Sequence, residues 1–281
     1  VGFNYRFGAK AMSELEPTEH QLRLGSHVSV AVESYAKRHS AALVLFFAEN
    51  HVDVGSATCV RIGDRFLLAT AAHNIAELDS EDIRIVAPLS TSEAWLPIAS
   101  RNWRPEDLPD VGWLEVTETV ALSSGLAFID AEMLAPFEEP TSESLYLAQG
   151  IPAELSTASG KTISLTSLGY MTIPVESGST DPHLEIVLDY SGSESPLPIP
   201  EGMSGGGIWS IQNDLDRPVW APENSRLVGI TRSWLPQTKH LFAVKIEHWL
   251  HLVREDFPDL RSTIDTILRE GAPNPADQTD S

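Results

Sequence analysis

The sequence predicts an all-β protein with helical segments at its two ends. Three observations lead there. From residue 41 onward, short apolar runs recur between turn signals, the pattern of a β-sandwich or barrel rather than of βαβ units. Before that point, residues 16–39 are polar with intermittent apolar positions and are expected to include a helix. Near the end, Val244, Ile246, Trp249, Leu250, Leu252, Val253 and Phe257 fall largely on one face of a helix.

The strands are read over residues 42–47, 57–62, 66–69, 83–86, 112–116, 145–148, 162–168, 184–188, 207–211, 227–230 and 240–244. Val, Ile, Leu, Phe and Thr fill many of these runs, and Gly, Pro, Asp or Ser bound them. Gly63-Asp64 between two runs reads as a hairpin loop. Pro258 ends the terminal helix. A further short helix is expected over 260–268, and the Pro-, Asp- and Gln-rich residues 271–281 are expected to be disordered. No internal repeat marks a solenoid.

A chain of 281 residues with 42% hydrophobic content can bury a substantial core. Asp and Glu number 40 against 19 Lys and Arg, a net charge of −21. That balance argues against nucleic-acid or anionic-membrane partners, which a basic surface attracts. The acidic surface and the extra termini suit a regulatory partner protein. No apolar run approaches the roughly 18 residues of a membrane span. Cys59 is the only cysteine, so no intramolecular disulfide forms; it lies in an apolar stretch and reads as a core residue. With no signal-peptide core at the start, a cytoplasmic location is expected. Met12, followed by Ser13 and Glu14, reads as a natural start, which would make residues 1–11 non-native.

The segment Gly202-Met203-Ser204-Gly205-Gly206-Gly207 frames a serine with glycines. Close approach of substrate to main-chain N–H groups demands such a frame. A serine is a poor nucleophile without a base to take its proton. His73 in Thr70-Ala71-Ala72-His73 is the candidate base, and histidine suits the task because it titrates near neutral pH. Asp110 in Asp110-Val111-Gly112-Trp113-Leu114 is the candidate acid that orients it. His73 follows one apolar run and Asp110 precedes another, so a rigid sheet would present both. A glycine-framed serine alone is more often a turn. Asp beside Pro109 is also a common turn element. Asp130 is the alternative acid, but it follows its apolar run. The remaining histidines show no metal-ligand spacing with Cys59, and His248 and His251 are expected at the surface.

These segments together resemble the trypsin-like, chymotrypsin-fold serine peptidases. Thr70–His73 resembles the segment around that family's catalytic histidine, and Asp110–Leu114 the segment that begins with its aspartate. Gly202-Met203-Ser204-Gly205-Gly206 resembles the nucleophile motif. Leu227-Val228-Gly229-Ile230, with Ser233-Trp234 after it, resembles the strand lining the substrate cleft. The resemblance spans roughly residues 41–257. It implies two six-stranded β-barrels with the active site in the cleft between them. The expected division is a partly helical extension over 1–40, a peptidase domain over 41–258 whose barrels meet near 117–145, and a terminal helix and acidic tail over 259–281. It further implies a serine endopeptidase working through an acyl-enzyme, with Ser204 as nucleophile, His73 as base then acid, and Asp110 orienting His73. The N–H groups of Gly202 and Ser204 would form the oxyanion hole, and Pro198, Thr231, Arg232 and Ser233 would line the substrate site. The substrate would be a protein or peptide, and no metal or organic cofactor is needed.

The departures carry information. Met203 stands where the secreted digestive members have an aspartate that pairs with a newly cut N-terminus, so no such activation is expected. The missing disulfides place the chain nearer bacterial, intracellular-type members. Pro198 stands where trypsin carries an aspartate, so a preference for Arg or Lys beside the cut is not expected. Arg232 or His240 would favour an acidic residue, but Arg232 reads first as a solvated surface charge. Gly202–Gly206 also satisfies the Gly-x-Ser-x-Gly elbow of α/β-hydrolases. That fold needs a strand before the serine and a helix after it, whereas a Pro-rich segment precedes and a strand-like run follows. A catalytically silent module that binds a peptide or partner protein is the alternative function.

Overall fold

A computed structural model describes residues 18–46, 52–76, 83–86, 96–97, 103–106, 108–123, 125–141, 143–159, 162–175, 181–192, 197–211 and 221–270. Residues 1–11, Met12 and the tail 271–281 lie outside the described residues. Helix α1 (Glu19–Arg38) begins at Thr18 with a capping box. The Thr18 hydroxyl accepts the Gln21 N–H at 3.1 Å, and the Gln21 side chain accepts the Thr18 N–H at 2.8 Å. Two donors that a helix start leaves open are thereby satisfied. The Gln21 amide also donates to the Ser144 carbonyl at 2.9 Å. Val28, Val32 and Ala36 join the central core.

The first sheet is built from β1 (Ser40–Phe46), β2 (Val52–Ile62), β3 (Arg65–Thr70), β4 (Ile83–Val86), β5 (Leu96–Pro97), β6 (Trp103–Glu106) and β7 (Val111–Val116). Their order is β5-β4-β1-β2-β3-β7-β6, antiparallel throughout, and β8 (Ile129–Asp130) adds to β2 in parallel. The second sheet holds β9 (Tyr146–Gly150), β12 (Leu168–Thr172), β13 (Glu185–Asp189), β14 (Gly207–Ser210), β15 (Arg226–Leu235) and β16 (His240–Lys245), in the order β12-β9-β14-β15-β16-β13. It closes on itself: past β12, the Val175 N–H donates to the Val187 carbonyl at 2.9 Å, and the Asp189 N–H donates to the Ile173 carbonyl at 3.1 Å. A separate hairpin pairs β10 (Thr157–Ser159) with β11 (Thr162–Ser164). The second sheet thus has the six strands expected. The first counts eight, because the two-residue strands β5 and β8 add to it. The run read over 162–168 splits between β11 and the start of β12, since the two pair with different neighbours.

Strand β3 shows why its apolar run is continuous. Leu68 pairs with Cys59 and Leu114 and enters the core inside the first sheet. Its neighbours Leu67 and Ala69 enter the central core, which also contains Leu147, Trp209 and Ile230 of the second sheet. A strand covered on both faces has no polar side to alternate with. Cys59 is fully buried, and burial pushes its thiol well up from the usual range.

Helix α3 (Ile246–Asp256) follows β16 directly, and α4 (Arg261–Glu270) follows after Pro258. Val244, which the sequence places both in the strand over 240–244 and on the helical stripe, pairs with Ile230 in the sheet. Trp249 is completely buried, a gain of roughly 3 kcal/mol for an aromatic of its size. Its Nε1–H donates to the Gly112 carbonyl at 3.1 Å. Trp113 Nε1–H donates to Asp256 at 2.9 Å, and Arg104 pairs with Asp256 at 2.8 Å. The terminal helix therefore grips the strand that begins beside Asp110. Among the described residues, no helix is long and apolar enough to cross a membrane.

Candidate active site

His73 lies just beyond β3, in a 3₁₀ turn over Ala72–Asn74 that follows the extended Ala71. Ala71 and Ala72 are buried, so the turn packs down while the His73 side chain stays 51% exposed and open to a substrate. Asp110 immediately precedes β7, after a cis Leu108–Pro109 bond, with φ of 66°. Aspartate is among the residues that enter this left-handed region most readily. Thr70 of β3 pairs with Gly112 of β7, and this register brings the two loops together across 37 residues of sequence. His73 Nδ1 lies 2.9 Å from Asp110 Oδ2 and 3.2 Å from Oδ1, and the His73 N–H donates to Oδ1 at 3.1 Å. A carboxylate can only accept, so it holds the imidazole proton on Nδ1. In the neutral imidazole the lone pair is then on Nε2.

Ser204 follows a turn in which the Met203 N–H donates to the Pro200 carbonyl at 2.9 Å. Gly202 sits third in that turn at φ 88°, as a type II turn requires. The Glu201 carbonyl accepts the Ala153 N–H at 2.7 Å, and the Met203 carbonyl accepts the Gly206 N–H at 2.9 Å. In a planar trans peptide the N–H points opposite to the carbonyl. The N–H groups of Gly202 and Ser204 are thus turned away from these anchors, and among the described residues neither donates a hydrogen bond. The serine's own N–H and that of Gly202 are thus two main-chain donors with no partner among the described residues, an arrangement that can bind an oxyanion.

The serine hydroxyl points elsewhere. Ser204 Oγ donates to the Arg232 carbonyl at 3.0 Å, and among the described residues no hydrogen bond joins it to His73. Its main chain is bound to the first sheet. The Ser204 carbonyl accepts the Ser56 N–H at 2.9 Å and Asn74 Nδ2 at 2.8 Å. Ser56 and Asn74 carry no motif in the sequence, and Thr70 stands out there only as the start of the Thr70–His73 segment.

Gly205, at φ 90°, has no room for a side chain: a Cβ would overlap the Ser56 carbonyl oxygen and Thr70 Oγ1, and would lie 2.9 Å from the Ser56 carbonyl carbon. Gly205→Ala is expected to cost about 4 kcal/mol of stability in urea denaturation, an exceptional loss for one methyl. A loss below about 1 kcal/mol would show that the segment relaxes freely.

No family model matches the sequence, and no curated protein matches it. Solved structures do match in shape. A serine endoprotease from Yersinia pestis is 16% identical, with a TM-score of 0.49 over 85% of this chain and 67% of the other. The Rv3671c protease from M. tuberculosis, in its active form, is 13% identical, with a TM-score of 0.46 over 85% and 89%. A variant of the HtrA-type protease AlgW, in a structure with a tripeptide, is 16% identical, with a TM-score of 0.51 over 80% of this chain and 62% of the other. The fold is chymotrypsin-like. The candidate base and acid adjoin strands of its first sheet, β3 and β7, and the candidate nucleophile precedes β14 of its second.

The other expected residues of this chymotrypsin-like fold are placed as follows. The Pro198 carbonyl accepts the Tyr190 hydroxyl at 3.0 Å. Thr231 is buried, and its main chain exchanges hydrogen bonds with Gly205 and Gly206. Arg232 occupies a register shift of β15 between Thr231 and Ser233. Its guanidinium pairs at 2.7 Å with Glu185, whose side chain is only 3% exposed. Arg232 is therefore not the solvated surface charge it was first read as, and burial of the carboxylate demands that partner. Ser233 is exposed. Trp234, partly buried, packs against the core cluster of the second sheet that contains Tyr190 and Met203. His240 Nδ1 has no hydrogen-bond partner among the described residues. Asp130, the alternative acid, binds Arg61 instead. His251 is exposed as expected, while His248 Nε2 lies 3.1 Å from the His183 carbonyl oxygen. Among the described residues no three His, Cys, Asp or Glu side chains converge as metal ligands. A cavity of about 480 Å³, lined by Phe137, Glu138, Thr141, Tyr146 and Arg226 among others, touches none of the candidate residues.

Proposed function

We propose that the chain is a serine endopeptidase that cleaves proteins or peptides through an acyl-enzyme. The observation that carries this reading is the Asp110 carboxylate seated on Nδ1 of His73, 2.9 Å away, in a chymotrypsin-like fold. His73 Nε2 takes the Ser204 proton as Oγ attacks the substrate carbonyl, and the carbonyl π electrons move onto oxygen. The oxyanion is met by the N–H groups of Gly202 and Ser204. Collapse expels the amine, which leaves with the proton from His73 Nε2. Water repeats the sequence on the ester, with His73 again as base, and frees Ser204. Asp110 stabilises the imidazolium throughout and remains ionised. Before attack the Ser204 hydroxyl must leave the Arg232 carbonyl by rotation about χ1. Catalytic hydrogen bonds that form only with substrate bound are common in resting enzymes.

Pro198, Thr231, Arg232 and Ser233 are assigned to the substrate site in this reading. Met203 is fully buried, 3.7 Å from the Tyr190 hydroxyl at its sulfur. An apolar side chain there offers nothing to a charged N-terminus, so activity would not await an N-terminal cut. The lone buried Cys59 and the acidic surface fit a bacterial, cytoplasmic enzyme served by a regulatory partner.

The test is direct. A fluorophosphonate should label the wild-type protein on Ser204, and a peptide library should be cleaved. Folded protein that does neither would instead be a peptide-binding module. That second reading is favoured by one observation, the engagement of the Ser204 hydroxyl by Arg232 rather than by His73.

A further inference from the structure

We infer that Asn74, the residue after the candidate base, is a positioning residue that sets the nucleophile against that base. This rests on the reading of Ser204, His73 and Asp110 as a hydrolytic site. Asn74 is only 7% exposed. Its Nδ2 donates to the Ser204 carbonyl at 2.8 Å and to Thr70 Oγ1 at 3.1 Å. The Thr70 hydroxyl in turn donates to the Ser56 carbonyl at 2.8 Å. Ser56 Oγ donates to the Gly202 carbonyl at 2.7 Å and accepts the Ile151 N–H at 2.9 Å. Gly55 clears the space: a Cβ there would meet the Asn74 side chain at 2.8 Å.

The geometry has a specific consequence. Gly202 and Ser204 carry the candidate oxyanion donors, and the carbonyls of both are held by groups of the first sheet and its following turn. With two donors on its carbonyl, the Ser204 main chain is fixed. Rotation about χ1 is the motion left to carry Oγ from Arg232 to the base. Asn74 shares its turn with His73, so one side chain links the backbone of the base to the backbone of the nucleophile. A buried amide suits that position because its loss leaves the Ser204 carbonyl short of a donor. Displacements near 1 Å at a reacting centre cost about 100-fold in rate.

Asn74→Asp keeps the shape, removes the donor and sets a carboxylate against the Ser204 carbonyl. Measured well below its melting temperature, this variant should lose about 10–100-fold in kcat and in fluorophosphonate labelling rate together. KM for a short peptide should stay within about threefold, since ground-state binding is untouched. Ile264→Ala serves as the structural control. Ile264 is fully buried in α4, far along the chain from the site, so a cavity there should lower the melting temperature and leave kcat unchanged. Folded Asn74→Asp with wild-type kcat would overturn the inference. So would a loss carried by KM, or an equal loss of kcat in Ile264→Ala at a matched melting temperature. If Asn74→Asp does not fold, Thr70→Val removes the hydroxyl that accepts from Asn74 at nearly constant shape. It should lose kcat severalfold, and unchanged kcat there overturns the inference too. Unlabelled wild-type protein would bring down the hydrolase reading and this one with it. Labelled wild type with an indifferent Asn74→Asp would bring down this one alone.

Discussion

Ser204→Ala should abolish peptide cleavage and fluorophosphonate labelling together, with a fall on the order of 10⁶-fold in kcat, while the protein stays folded. The two halves of that expectation have separate causes. The hydroxyl is the only group of the site that can form the acyl bond in the proposed reaction, so its loss removes the chemical step. Its structural contribution is one hydrogen bond, to the Arg232 carbonyl at 3.0 Å. A neutral bond of that kind contributes about 1 kcal/mol. The Ser204 carbonyl, which accepts from the Ser56 N–H and from Asn74 Nδ2, is main chain, so both anchors survive the substitution. Mass spectrometry of the labelled protein and a thermal melt check both halves. Residual cleavage within tenfold of wild type would remove Ser204 from the role of nucleophile.

Asp110→Asn should lower kcat by about 10⁴-fold at neutral pH with little change in KM. The amide can still accept the His73 N–H through its oxygen, so the loop geometry is retained. Its NH₂ group then faces Nδ1, which must accept rather than donate, and the imidazole proton moves to Nε2. Nε2 is the atom that has to receive the Ser204 proton, so the base is disabled without being moved. The companion replacement Asp130→Asn should leave kcat unchanged, because Asp130 binds Arg61 at the surface and not a histidine. Steady-state kinetics of the two variants separate the candidate acids. Equal activity in Asp110→Asn and wild type would leave His73 without its orienting partner.

The legible parts of the fold were those where local chemistry and burial agree. β3 and β7 are legible in the sequence because apolar residues on both of their faces are buried, Phe66 and Glu115 being only partly so. β6 escaped notice: it is an edge strand containing Pro105 and paired on one side only, and such strands tolerate residues that a central strand rejects. The six-residue helix α2 (Glu118–Ser123) buries only Ala121, too little for an apolar stripe to form. Helix α3 is legible too: Val244, which fits both the strand read over 240–244 and the helical stripe, pairs in the sheet, and the helix begins at Ile246.

The site divides along the same line. The segments around His73, Asp110 and Ser204 were readable because their requirements are local. A glycine must stand where the backbone turns left-handed at Gly202 and Gly205, and an aspartate tolerates the same region at Asp110. Such demands are written into neighbouring residues, and the resemblance of these motifs to those of the chymotrypsin-fold peptidases is what points to the fold. Three features came only with the tertiary structure: the Arg232–Glu185 pair, the turn of the Ser204 hydroxyl toward Arg232, and the hold of Ser56 and Asn74 on the nucleophile segment. Ser56 reaches Gly202 across 146 residues, and Asn74 reaches Ser204 across 130. A polar side chain reads the same in sequence whether it meets water or a distant carbonyl, and only the packing of the two sheets against each other supplies the partner.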